Sequence, residues 1–199
     1  MVLKLEHIAK SFGKKAVLKD ISFQLEAGTI TGIVGENGSG KSVLMEIIVG
    51  IRSADRGLVK QNGKTGYCPQ QALLIPHLTV QEHFRYFSVA YGMNAVQMAK
   101  RAEELLVHFN YEKYQHEKVI HLSGGTQQKL NLSLALLHEP DLLILDEPYN
   151  GFDWDTYQKF WHYNKQLREH GAAILIVTHL LSERERLDHI YELENGVLV

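Results

Sequence analysis

The chain has 199 residues, 45% hydrophobic and 22% charged, with a net charge of -2, which fits one large globular domain with a full core and room for a subdomain. The near-neutral balance gives no basic surface for nucleic acid, and the single cysteine, Cys68, excludes an intramolecular disulfide framework and a cysteine-based zinc site and is read most simply as a sign of a reducing compartment. No apolar run reaches the roughly 18 residues of a membrane helix, and no charged leader precedes an apolar stretch, so neither a spanning segment nor an export signal is expected.

Leu3, Leu5 and the segment 17–25 predict strands around a turn at Gly13. Ile30 to Val34 is an apolar, β-branched run and predicts a buried strand. After a glycine-rich stretch, Leu44, Ile47, Ile48 and Ile51 recur at the spacing of one helix face. Asp55-Arg56-Gly57 reads as a turn, Gln61-Asn62-Gly63 as a hairpin signal, and Thr65 to Cys68 as a strand. Two amphipathic helices follow. Val80, Phe84, Phe87 and Tyr91 share a face behind a Thr79/Glu82 capping box, and Met98, Ala102, Leu105, Leu106 and Phe109 form the second face. Residues from about 71 to 125 thus read as a helical subdomain inserted into a catalytic core of 1–70 and 126–199. The last third predicts a helix over 126–138, strands over 142–145 and 172–177, a long helix over 153–170, a short one over 182–187, and two strands around Asn195-Gly196. Strands alternating with helices imply an α/β fold with a mixed, largely parallel sheet and flanking helices, beside an N-terminal antiparallel β subdomain.

The chemistry concentrates in Gly35-Glu36-Asn37-Gly38-Ser39-Gly40-Lys41-Ser42. This is G-x-x-x-x-G-K-S between a strand and a helix, the context of a nucleoside-triphosphate P-loop. Its glycines let backbone N–H groups surround phosphate oxygens, and the helix N-terminus adds a positive dipole end. Lys41 is suited to the outer phosphates and the Ser42 hydroxyl to Mg²⁺. The strand 142–145 runs into Asp146-Glu147. Asp146 is placed to hold Mg²⁺ as a hard oxygen ligand, and Glu147 to polarise the attacking water as general base. Leu122-Ser123-Gly124-Gly125 precedes a helix and makes a second candidate anion cradle.

The motifs GENGSGKS, LSGGTQQKL and LLILDEP, and a histidine after the next strand, occur together and in order. By these the chain resembles the nucleotide-binding subunit of ATP-binding-cassette transporters over essentially its whole length. The resemblance implies a single P-loop ATPase domain using ATP and Mg²⁺, which dimerises around ATP with a second cassette, identical or related. It implies that Ser123, Gly124 and Gly125 would touch the γ-phosphate of ATP held by that second subunit. It gives Gln70, with Gln71 beside it, a contact to Mg²⁺ and the attacking water. It makes His179 a γ-phosphate switch, Asp153 part of a loop that meets the other subunit, Phe12 the aromatic stacked on adenine, and Val17 its neighbour. Integral membrane permease subunits are the implied partners, at the inner face of the cell membrane, and no nucleic acid is expected. Residues 77–93, HLTVQEHFRYFSVAYGM, favour an exporter. Tyr149 and Asn150 replace a smaller pair of the family pattern, Phe152 a leucine, and Thr126 a frequent glutamine.

A guanine-nucleotide switch would share the P-loop but needs N-K-x-D; Asn164-Lys165-Gln166-Leu167 lacks the aspartate. A small-molecule kinase would lack the Ser123 cradle and the Asp146-Glu147 pair. A soluble cassette acting on DNA or ribosomes would carry long coiled-coil insertions or two cassettes in one chain, and neither is present.

Overall fold

The computed structural model describes residues 1–178 and 181–199. Its contacts divide the chain into two compact units, Met1–Thr65 with Asp141–Glu147 and Leu167–Val199, and Gly66–Pro140 with Pro148–Gln166.

The first unit holds two sheets. Strands β1 (Leu3–Phe12), β2 (Lys15–Leu25) and β4 (Arg56–Gln61) form an antiparallel sheet in the order β2-β1-β4. The other sheet runs β6 (Leu142–Asp146), β7 (Ala173–Val177), β3 (Ile30–Val34), β8 (His189–Glu194) and β9 (Val197–Leu198). Neighbours from β6 through β8 are parallel, and β9 is an antiparallel edge. Every residue of β3, β6 and β7 is buried, which is why their sequences are apolar runs and not alternations. All three end on one edge of the sheet, where a parallel α/β fold presents its ligand-binding loops. The sheets are tied where Lys19 N donates to Gly196 O at 2.8 Å. Helix α1 (Lys41–Ile48) follows β3 directly, and a 3-10 turn spans Leu181–Arg186.

Three local expectations need correction. Gly57 makes no turn; it lies inside β4 at φ 94, opposite a bulge where the β1 register shifts between Glu6 and Ala9. A Cβ there would meet the Glu6 and His7 carbonyl oxygens at 2.5 Å, so the glycine serves close backbone approach. Asn62-Gly63 closes no hairpin, because β4 pairs with β1 and not with the next strand, β5 (Thr65–Cys68). Instead, Lys64 N donates to Asp141 Oδ2 at 2.7 Å and steers the chain beside the start of β6. Ile51 lies beyond the end of α1 and is 62% exposed.

The second unit is helical. Helix α2 (Val80–Ala90) begins at the expected Thr79/Glu82 capping box, and α3 (Ala95–His108) at a second box, Asn94/Gln97. Val80, Phe84, Leu105 and Phe109 are fully buried. Helix α4 (Gly124–Leu136) is the centre of this unit and is enclosed nearly all round from Gln128 onward. Helix α5 (Trp154–Glu169) contributes Phe160, Trp161 and Asn164 to the interior. Arg101 of α3 donates to the Tyr163 hydroxyl of α5 and pairs with Glu104 at 2.8 Å. This unit takes in the expected helical block and extends beyond it to α4 and α5 as far as Gln166.

Candidate nucleotide site

The P-loop is built by backbone conformation. Gly35, Gly38 and Gly40 have φ of 151, 82 and 109, a region where side chains are strained. At Gly40, the N-cap of α1, a Cβ would also lie 2.9 Å from Val17 Cγ1, and at Gly35 it would lie 2.5 Å from the Leu193 carbonyl oxygen. The glycines therefore supply both the angle and the space. Lys41 is buried, and its ammonium folds back to donate to Gly35 O at 2.7 Å and Glu36 O at 2.8 Å. A cation closing the loop on its own carbonyls keeps the N–H groups splayed for an anion. The Ser39 hydroxyl is buried in the loop with no hydrogen-bond partner, an orphan donor of the kind a phosphate oxygen satisfies.

Strand β6 delivers Asp146 and then Glu147, which are 3% and 8% exposed. Burial pushes the Asp146 carboxyl above its ordinary range, and the negative charges of Glu147 and Glu46 push the same way. The Ser42 hydroxyl bonded to Asp146, and Lys41 nearby, oppose the rise. A buried carboxylate bonded to a hydroxyl is an oxygen donor set that suits a hard divalent cation. No group of three or more His, Cys, Asp or Glu that could hold a metal exists among the described residues. Glu147 has a left-handed backbone, φ 47, fixed where its N–H donates to Val177 O at 3.1 Å.

Val17 lines a cleft of about 520 Å³ with Glu36, Asn37, Gly38 and Ser39. Phe12 lies outside that lining; it is 44% exposed, with the Arg52 guanidinium 5.0 Å from its ring centre and Lys10 Nζ 5.9 Å away.

In the second unit, Ser123 caps α4, accepting from Thr126 N at 3.3 Å and sharing a 2.9 Å bond with the Thr126 hydroxyl. Gln127 reaches back to the Leu122 carbonyl at 3.1 Å and fixes the approach to the cap. Ser123 and Gly124 are exposed. Gly125 abuts the 149–153 loop, where a Cβ would meet Gly151 O at 2.6 Å. In that loop Asp153 caps α5, its Oδ1 accepting from Thr156 N at 2.7 Å, and this bond holds its carboxyl below the usual range. Tyr149 is buried against Tyr157 and Phe160, so this departure from the family pattern is a packing residue. Gln70 is exposed, two residues past the end of β5. His179 lies outside the described residues. Two buried residues that no spacing rule singles out, Gln128 and Asn131, bond the backbone at Pro148 and Pro69; Thr126, Gln127, Lys129 and Ser133 share their helix, so the two do not stand out in the sequence.

The two signature glycines are not equivalent. A Cβ at Gly124 meets nothing within 4 Å. Gly124→Ala is expected to leave the melting temperature unchanged or slightly higher, since alanine favours a helix. Gly125→Ala must push the 149–153 loop away from the start of α4 and is expected to lower it. Thermal unfolding of the pair checks this, and equal midpoints would refute it.

A family model described as ABC transporter matches residues 18–150. The chain is 35% identical over 198 residues to an uncharacterized ABC transporter ATP-binding protein of Methanocaldococcus jannaschii, covering 99% of this chain and 76% of that protein. It is 33% identical to the linearmycin resistance ATP-binding protein LnrL of Bacillus subtilis, covering 100% of this chain and 68% of that one. With the Nod factor export ATP-binding protein I of Paraburkholderia xenovorans it shares 33% identity over 94% of this chain and 66% of the relative. Among solved structures, the ATP-binding subunit of an ABC transporter superposes with a TM-score of 0.95 at 29% identity, covering 100% of this chain and 88% of that one. A bacterial ABC transporter cassette, solved as a dimer and also in a post-hydrolysis state with ADP and phosphate, superposes at 0.90 with 27% identity, covering 98% and 96% of the two chains. With its P-loop, buried carboxylate pair and capped signature helix, the chain belongs to the ABC transporter family, as an ATP-binding, ATP-hydrolysing subunit.

Proposed function

We propose that two copies of this chain, or this chain and a related cassette, enclose ATP between the P-loop of one and the Ser123–Gly125 cradle of the other, and that closure drives export through separate membrane subunits. The observation that carries this reading is the presence of two glycine-bearing helix N-termini on one chain, the loop over 35–42 leading into α1 and the Ser123-capped start of α4, each of which suits an anion. The cassette solved as a dimer supports the pairing, and the relatives named for linearmycin resistance and Nod factor export support the direction. Among the described residues no helix is long and apolar enough to cross a membrane.

In this reading the P-loop N–H groups and Lys41 bind the phosphates, while Phe12 and Val17 orient the base. Ser42, Asp146 and Gln70 would hold Mg²⁺, whose charge offsets that of the phosphates. Glu147 takes the proton of the attacking water, and Gln70 and His179 orient water and γ-phosphate. Ser123, Gly124 and Gly125 of the opposing copy complete the donor set, and Asp153 holds the loop that meets it. Hydrolysis removes the group both copies grip, so closure is a two-state switch set by differential contacts. The helical block over about 71–125 is the surface proposed to face the membrane partner.

Affinity purification of the tagged chain from its native membrane tests this. Recovery with an integral membrane protein, at the inner face of the cell membrane, is the expected result. Recovery only with ribosomes or DNA would replace the transport reading by a soluble cassette.

A further inference from the structure

Helix α4 carries two amides in its buried stretch, Gln128 and Asn131, each 6% exposed and one turn apart on one face. Amides there are costly unless every polar atom finds a partner. Both NH₂ groups go to main-chain carbonyls. Gln128 Nε2 donates to Pro148 O at 3.0 Å, and Asn131 Nδ2 to Pro69 O at 2.9 Å. Asn131 also lies 3.4 Å from Gln128 Oε1 and 3.3 Å from Cys68 Sγ, which joins the contacts into one network. The two acceptors have a particular place in the chain. Pro69 immediately precedes Gln70, and Pro148 immediately follows Glu147. The same helix begins at Ser123, where its cap forms the signature cradle.

We propose that Asn131 and Gln128 are positioning residues for hydrolysis. They tie the backbone beside Gln70 and the backbone beside Glu147 to one rigid helix whose N-terminus reads the partner's phosphate. A displacement at the cradle then reaches both segments through hydrogen bonds of fixed length. A leucine at either position would fill the interior equally well but could not hold a carbonyl. This inference rests on the roles of Glu147 and Gln70 proposed above.

The test is Asn131→Leu in the full chain, a near-isosteric change that removes only the polar contacts. The expected result is a kcat about ten- to a hundredfold lower, the scale on which small misplacement of reacting groups acts, with the Kd for ATP within about twofold of the parent. Gln128→Leu is expected to act in the same direction, and the double variant to fall short of the product of the two, because the amides share one network. A folded Asn131→Leu with parental kcat overturns the proposal. So does a loss of kcat matched by a loss of ATP affinity and of melting temperature, which would mark a purely structural role. If Asn131→Leu does not fold, Asn131→Ala removes the same donor without added bulk and is read by the same criteria. Glu147→Gln, assayed in parallel, separates the two levels. If it keeps turnover, the assigned base is wrong; if it is inactive while Asn131→Leu is parental, only the positioning role falls.

Discussion

Replacing Glu147 by Gln is expected to lower ATP turnover by about a hundred- to ten-thousandfold, the usual span for loss of a general base, and to leave ATP binding intact. Glutamine matches the side chain in size and fills the same buried space, and it keeps whatever strain the φ of 47 imposes. What it loses is the capacity to take a proton. Because the P-loop, Lys41 and the Ser123 cradle are untouched, nucleotide should accumulate unhydrolysed and hold two copies together. Phosphate release measures the first effect, and size-exclusion chromatography with and without ATP measures the second. Parental turnover would remove Glu147 from the role of base. Turnover lost without a nucleotide-stabilised dimer would count against the composite site.

Lys41→Ala should act on binding instead. The ammonium donates to two loop carbonyls, Gly35 O at 2.7 Å and Glu36 O at 2.8 Å, and is poised to transfer those bonds to phosphate oxygens. A charged hydrogen bond contributes about 1.5–3 kcal/mol, so the Kd for ATP should weaken by roughly ten- to a hundredfold. Calorimetric titration checks it, and a Kd within about twofold of the parent would show that the backbone N–H groups suffice. Lys41→Arg is not expected to rescue, because a planar guanidinium cannot fold back on the loop as a compact ammonium does.

The legible parts of the fold were those that local rules determine. The P-loop is read from glycine spacing between a strand and a helix. The start of α2 is read from Thr79 and Glu82, and β3, β6 and β7 from runs whose residues are buried on both faces. The misread parts depend on partners distant in sequence. Gly57 looks like a turn until β1 is laid beside it, and Asn62-Gly63 looks like a hairpin until Asp141 is known to receive Lys64. Ile51 continued a helical spacing past the point where α1 stops, since periodicity carries no stop signal. In the site, Gln128 and Asn131 were silent because a helix enclosed nearly all round has no polar face against which two amides stand out. Asp153 has a local task, capping α5, which the family pattern alone does not disclose.

The left-handed backbone at Glu147 has an evolutionary consequence. For a residue with a Cβ that conformation costs about 1–2 kcal/mol, and glycine would be free of it. Glu147→Gly would relieve that strain, against the loss of the contacts of a buried carboxyl and the entropy a glycine adds to the unfolded chain, and under the role proposed above it would also remove the base. Strain relief and catalysis are thus set against each other at this codon. Libraries built to harden the protein should hold position 147 constant and look for their gains elsewhere.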